Sequence, residues 1–452
     1  MARKSKLLQN LGEMIKDNNI NDVNDLDIDV LKEITISMRD VTDYRGDTCY
    51  QAIENIIMIV FIALLCNCNE WEEIYQFGVI HQNWFENFLD LEYGIPSVST
   101  IRKTMAIIDP NELEEVCVNF IIKKVTAMEM ILNNIVEMEI KSNSINEIVD
   151  ENIKTNIDLK TSEKDVIAYD GKTCNGSKRI NTKNGKVKPV NAMSAFNVTK
   201  EICLATKFID EKTNEIPTGP ELIKLLDLTN TISTFDALNT QEKTIEAIVN
   251  KGGNYVAAVK GNQKLLHNDI KDFFEDSVLY NEAMNEAFIE VVEKSHNQTE
   301  KRTYIMTSKI DWLPDKSKWK NIKSIGIAKR EYKIDNKDKV DIRYYITDLD
   351  SSEINDFRNA VRDEWGIENN LHWHLDYTFK EDHNWTMNKN AQANLNILRK
   401  LSLNILKLVK PFYNKSLKMI RFILGQNFDN EIYKIFSCLN IEKLKEITAK
   451  TQ

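Results

Sequence analysis

Residues that break or cross-link a chain are scarce here: 14 Gly and 7 Pro among 452 residues, which excludes collagen-like and low-complexity classes. Cysteine is also sparse. The seven Cys form no CxxC, and the nearest pair, Cys66 and Cys68, adjoins an apolar run, so neither a disulfide framework nor a cysteine zinc site is expected. Long hydrophobic runs are missing too. The longest, Ile56 to Cys66, has 11 residues against the roughly 20 that span a bilayer, and reads as a buried helix. Met1 to Asn10 is polar and charged with no apolar stretch behind it, so a cytoplasmic protein without a membrane partner is expected.

Enough apolar material remains for a large core. At 42% hydrophobic over 452 residues, the chain should form two or three packed units. Net charge is −10, yet acid is absent from two windows. Gly171 to Lys200 holds Lys172, Lys178, Arg179, Lys183, Lys186, Lys188 and Lys200, and His383 to Phe428 holds Lys389, Arg399, Lys400, Lys407, Lys410, Lys415, Lys418 and Arg421. From charge alone these are either a phosphate-binding track or an ordinary loop and a Lys-rich helix.

Residues 1–50 are polar, with a short helical pattern at Asp29 to Met38, and are expected to pack loosely. Residues 51–135 repeat apolar positions at helical spacing, which predicts three or four packed helices, with Ser97 or Ser99 capping one of them. A polar connector or insertion follows at 136–164. Beyond it, five short strands, Asp165 to Tyr169, Ala192 to Val198, Ile202 to Ile209, Ile232 to Phe235 and Tyr255 to Val259, alternate in their later part with helical patterns, giving a mixed α/β sheet. Four more β-rich runs occupy about 285–350 and are either extensions of that sheet or an inserted subdomain. Helical patterns then run from Ser352 to Leu375 and from Ala391 to about Leu408, with a helical tail at 411–452.

Three acids fall where such a sheet meets its loops and helices. Asp170 follows the strand Val166 to Tyr169, Asp236 follows Ile232 to Phe235, and Glu368 lies on the helix after the β-rich stretch. Singly, each is more ordinary as a cap or surface carboxylate. Together they are hard oxygen ligands suited to two Mg²⁺ or Mn²⁺ ions about 4 Å apart, which serve phosphodiester chemistry.

At these residues the chain resembles the DDE transposases of bacterial insertion sequences, in the ISAs-type or H-repeat-associated branch. The resemblance lies in Ala168-Tyr-Asp-Gly-Lys-Thr-Cys-Asn-Gly-Ser177, Thr234-Phe-Asp-Ala-Leu-Asn-Thr-Gln241, Gly252-Gly-Asn-Tyr-Val-Ala-Ala-Val-Lys-Gly-Asn-Gln263 and Trp365-Gly-Ile-Glu-Asn-Asn-Leu-His-Trp-His-Leu-Asp376, continuing to Phe379-Lys-Glu-Asp382. Asn69 to Gly78 and Tyr93 to Ser97 are similar to the helical domain associated with these enzymes. The resemblance covers about 45–410. It implies an RNase H-like catalytic domain over 165–410, a transposase-associated helical domain over 51–135, and Asp170, Asp236 and Glu368 as catalytic and metal-binding residues. It further implies binding of terminal inverted repeats, 3′-end cleavage and strand transfer to target DNA, a homodimer on DNA, and association with the nucleoid. A catalytically silent DNA-binding relative and a plain metal-dependent nuclease are the rival functions.

Lys172, Lys178, Arg179, Lys260 and Arg362 are the expected phosphate contacts, with Asn262 in the turn Lys260-Gly-Asn-Gln263, which lacks the spacing of a nucleotide P-loop. No nucleotide cofactor is expected. The chain departs from related enzymes where Val361, Glu364 and Leu375 stand in place of a Tyr, an Arg and a Lys. Asp376 and Glu381 rival Glu368 as third acid. His372, His374 and His383 lack zinc-site spacing, so packing or DNA contact is expected, and His372 and Trp373 are candidate DNA contacts. Trp365, Trp373 and Trp385 either stack on unpaired bases or fill the core.

Overall fold

The computed structural model describes residues 28–46, 49–146, 164–177, 179–181, 185–187, 189–209, 215–295, 298–334 and 337–450. Lys178, residues 1–27 and most of the expected connector lie outside them. The first body is helical: α1 (Asp29–Met38), α2 (Ile53–Leu65), α3 (Trp71–Ile80), α4 (Gln82–Phe85), α5 (Val98–Ile107) and α6 (Pro110–Asn146). Helix α2 is apolar around its whole circumference and is accordingly buried on every side. Ser97 caps α5 by accepting from the Thr100 N–H at 3.2 Å. Two expectations are corrected. Helix α1 does not pack loosely, since Val30, Leu31, Ile34 and Met38 are buried in the helical core. Helix α6 runs 37 residues, through the boundary placed at 135, so the connector begins as helix.

A nine-stranded sheet follows, in spatial order β5-β4-β1-β6-β7-β11-β10-β9-β8. Its strands are β1 (Asp165–Cys174), β4 (Val190–Asn197), β5 (Ile202–Ile209), β6 (Thr231–Phe235), β7 (Asn254–Val259), β8 (Ala287–Ser295), β9 (Gln298–Thr307), β10 (Ser324–Ile334) and β11 (Lys337–Thr347), while β2 (Arg179–Asn181) and β3 (Gly185–Val187) pair separately. Strands β1, β6 and β7 are parallel, and every other pairing is antiparallel. The β-rich stretch is thus a continuation of the sheet, joined where Tyr344 to Thr347 pair with Val259 to Val256.

Alternation along the strands sends side chains to the two opposite faces of the sheet. Ile167, Tyr169 and Phe235 pack under α7 (Glu215–Lys224) and α8 (Glu242–Asn250), with Leu222, Ile223, Ile245 and Ile248. Val166 and Ile232 face the other way, toward Phe357 and Ala360 of α11 (Ile354–Asp363), numbered after α9 (Lys264–Glu275) and α10 (Ser277–Glu286). By parity, Asp170 and Asp236 belong to this second face.

Helix α12 (Lys389–Tyr413) lies between the sheet and the N-terminal helices and is buried from Ala391 to Val409. Its polar side chains close open backbone groups: Asn404 exchanges two 3.0 Å hydrogen bonds with the backbone of Cys203 on edge strand β5. Helices α13 (Leu417–Gln426), α14 (Phe428–Ser437) and α15 (Ile441–Lys450) then return to the N-terminal helices and share one hydrophobic core with them. The described residues from 411 to 446 are therefore structurally part of the first helical body. The second basic window is largely internal. Arg399, Lys400, Lys407 and Arg421 are all buried, and Arg421 caps the end of α2 by donating to the Leu64 and Leu65 carbonyls. Half of that window cannot meet a phosphate, because positive charges on an inward helix face were indistinguishable from outward ones by count.

Candidate metal centre and active site

Strand β1 does not stop at Tyr169, as the sequence suggested. Its parallel pairing with β6 ends at the Tyr169 and Phe235 pair, but β1 runs on to Cys174 against β4, with Asp170 opposite Ser194. Asp170 and Asp236 consequently follow the last paired rung on adjacent parallel strands, which lie about 4.8 Å apart. The Gly171 N–H holds one Asp170 oxygen, Oδ1, at 2.9 Å. Asp236 Oδ1 accepts from the backbone and side-chain nitrogens of Asn239, each at 3.1 Å, so the loop after β6 fixes that carboxylate.

After α11 the chain continues helically but widens into π-helical turns at Glu368–His372 and His374–Thr378. Such turns are rare and recur at functional sites. Gly366 admits this segment to the sheet, because a Cβ there would lie 2.4 Å from Val198 Cγ1. Glu368 and His372, four residues apart, then sit on one face. His372 Nδ1 is 3.2 Å from Glu368 Oε2 and 3.4 Å from Asp170 Oδ2. Among the described residues, Asp170, Glu368 and His372 form a group whose ligand atoms all lie within 4.8 Å of one another. Glu368 is two-thirds exposed, whereas the His372 side chain is 6% exposed. Burial pushes the imidazole down to about 4, partly opposed by its hydrogen bond to Glu368, so the ring is neutral at pH 7.

His372 is therefore not an outward DNA contact. It fills the gap between two acids. A second residue went unrecognised in the sequence. Glu364 is nearly buried, within 3.4 Å of both Arg343 Nη1 and the Tyr345 hydroxyl. Its carboxyl is raised chiefly by burial and also by Asp236, against the lowering influence of Arg343 and Lys260. Glu364, Glu368 and His372 at four-residue spacing were a legible signal for a polar helix face.

The rival third acids are engaged elsewhere. Asp376 Oδ1 meets Lys172 Nζ at 2.6 Å, and Glu381 is fully buried, accepting from Asn396 Nδ2 at 2.6 Å with Arg399 3.9 Å away. The expected phosphate contacts divide in the same way. Lys172 is bound to Asp376, Arg362 pairs with Glu293, and Asn262 donates to the Ala237 carbonyl beside Asp236 at 2.6 Å. Arg179 opens β2, opposite Val187. Lys260 is exposed at the end of β7. Trp365, Trp373 and Trp385 are 57%, 50% and 68% exposed, so core filling is excluded for all three. Trp373 stacks on Tyr377 with ring centres 4.6 Å apart, and His374 bonds Thr378 at 3.0 Å.

The two carboxylates suit a hard divalent cation, with His372 between them and the third acid just after the next strand. Similarity to known proteins runs in the same direction. Residues 161–405 match the transposase DDE domain and residues 36–121 the DDE_Tnp_1-associated domain. YhhI of Escherichia coli (strain K12), an H repeat-associated protein designated a transposase, is 29% identical over 84% of this chain and 92% of its own. YncI of Escherichia coli O157:H7, likewise designated a transposase, is 30% identical over 78% and 82%. An uncharacterised protein of the dhlA 3′ region of Xanthobacter autotrophicus is 26% identical over 66% and 87%. The chain belongs to the family of DDE-domain transposases.

Proposed function

We propose that the protein binds the terminal inverted repeats of its own element, hydrolyses the phosphodiester at each 3′ end, and joins the freed 3′-OH to target DNA. The observation that carries this reading is the approach of Asp170 and Glu368 across His372, with Asp236 level with Asp170 on the neighbouring strand. Strand order β5-β4-β1-β6-β7, with three parallel strands beside two antiparallel ones, supports an RNase H-like core over the first five strands of the sheet. Two Mg²⁺ or Mn²⁺ ions, when bound, supply activation of the attacking water or hydroxyl and stabilisation of the leaving oxygen.

The chain's own residues do the rest. Asp170 and Glu368 hold one position and Asp236 the other, and the anchoring of Asp170 by Gly171 and of Asp236 by Asn239 keeps the carboxylates oriented. Lys260, Lys178 and Arg179 position phosphates. Lys172 and Arg362 join them by exchanging Asp376 and Glu293 for DNA, and Asn262 acts by fixing the loop behind Asp236. Exposed Trp373, backed by Tyr377, offers a face for an unpaired base at the cleaved end. Two ends must be synapsed, so the working form is a homodimer on DNA, associated with the nucleoid.

Labelled DNA carrying the element's ends, incubated with Mg²⁺ or EDTA, tests this. The native chain should nick at the 3′ terminus and yield joined products, and Asp236→Ala should retain binding while losing at least about 10³-fold in cleavage. Binding without cleavage by the native chain, in Mn²⁺ as well, would instead identify a silent DNA-binding protein, and cleavage without joining a nuclease.

A further inference from the structure

His372 is the buried polar group at this site whose position is least explained by folding alone. Its Nε2 is buried with no hydrogen-bond partner among the described residues, whereas Nδ1 lies beside Asp170 and Glu368. Distances on the Nδ1 side fit another role. Adjacent ligands of a six-coordinate ion with bonds of about 2.1 Å stand about 3.0 Å apart. The observed separations are 3.4 Å to Asp170 Oδ2 and 3.2 Å to Glu368 Oε2. Hydrogen bonding explains one of these contacts, since only one ring nitrogen faces the pair and a ring nitrogen carries at most one N–H.

We infer that His372 is itself a ligand of the divalent ion held by Asp170 and Glu368, and that its nitrogen makes this position select Mn²⁺ over Mg²⁺. This rests on the proposed metal-dependent reading of the site and adds to it a donor and a metal preference. Nitrogen donors bind transition ions better than they bind Mg²⁺, which prefers oxygen and dehydrates reluctantly. Asp236 is held by Asn239 and lies outside the group that contains His372, so the preference for Mn²⁺ is assigned to the Asp170 position.

The test is pulsed electron paramagnetic resonance of the full-length protein loaded with MnCl₂ alone, with Mn²⁺ and Mg²⁺ affinities measured by titration. The native chain should show the ¹⁴N coupling of a directly bound imidazole, and Asp170→Asn should lose coupling and ion together. His372→Gln should lose the coupling, with Mn²⁺ affinity falling about tenfold or more while Mg²⁺ affinity falls less. Mn²⁺ bound to the native chain in an Asp170-dependent manner, without nitrogen coupling, would overturn the ligand role and leave the metal centre standing. Absence of any Asp170-dependent Mn²⁺ would overturn both. The spectrum of the native chain decides even if His372→Gln does not fold.

Discussion

Glu114 shows how the same carboxyl group behaves differently away from the sheet face that carries Asp170 and Asp236. It sits on α6, buried against Thr206 and near Lys400, and burial raises it from the ordinary 4.5 to about 7, with Lys400 opposing. Because the folded chain holds this proton more tightly than the unfolded one, the stabilisation is full below pH 4.5 and is lost as pH rises through 7. Glu114→Gln, which does not titrate, should gain on the native chain over that interval, by on the order of 2 kcal/mol at pH 8, and gain little at pH 4.5. Urea unfolding at the two pH values checks it. Equal differences at both would contradict it. Residue identity was the most legible level in the sequence: Asp170, Asp236 and Glu368 stood out by motif. His372 did not, because HxH spacing directs attention to zinc and away from a carboxylate four residues earlier.

Among the elements, the segment from Trp365 to Phe379 decides the site. Its helical character was readable from apolar spacing, but the π-helical turns were not, since one extra residue per turn leaves the pattern of Ile367, Leu371 and Leu375 unchanged. Close packing fixes it in place: Gly366 touches Val198, and Arg421 stacks over Phe379 at 4.1 Å while donating to the Thr378 carbonyl. Gly366→Ala should force this segment off the sheet, destabilise the protein by about 1–3 kcal/mol, and weaken Asp170-dependent Mn²⁺ binding, because Glu368 and Asp170 come from different elements. Melting temperature and Mn²⁺ titration read the two effects. Unchanged values for both would show that the segment shifts without cost. Strand β1 was underestimated for a related reason. Asp170-Gly171-Lys172 reads as a turn by composition, yet pairing with β4 carries it on as strand.

For the whole molecule, the sequence predicted helices at both ends and an α/β sheet between them, and that order is what the structure has. Their association was hidden, since hydrophobic periodicity reports that a face is buried but not what buries it. Leu417, Ile420, Leu424, Ile432, Ile435, Phe436 and Leu439 pack into the core built by α1 to α6. Each contributes about 1.5–3 kcal/mol, and together, at about 10–20 kcal/mol, they match or outweigh the net stability of about 5–15 kcal/mol typical of a folded protein. A chain ending at residue 410 should therefore be insoluble or unfolded, as judged by circular dichroism and sedimentation. A soluble, cooperatively melting product would mean that 411–452 is an appendage. The α12 helix explains why this body matters to the site. Its Lys400 Nζ bonds Ser194 at 2.9 Å and Thr206 at 2.7 Å, tying the helical body to the strand that pairs with Asp170.

Under the proposed function, Asp170, Glu368 and Asp236 would form a divalent-metal centre that cuts DNA. Anomalous scattering from crystals of the protein with its element's end DNA, saturated with MnCl₂, tests it most directly. One Mn²⁺ peak between Asp170 and Glu368 and a second beside Asp236, both next to the terminal phosphate, are expected. Crystals with ordered end DNA and no peak at these carboxylates would contradict it.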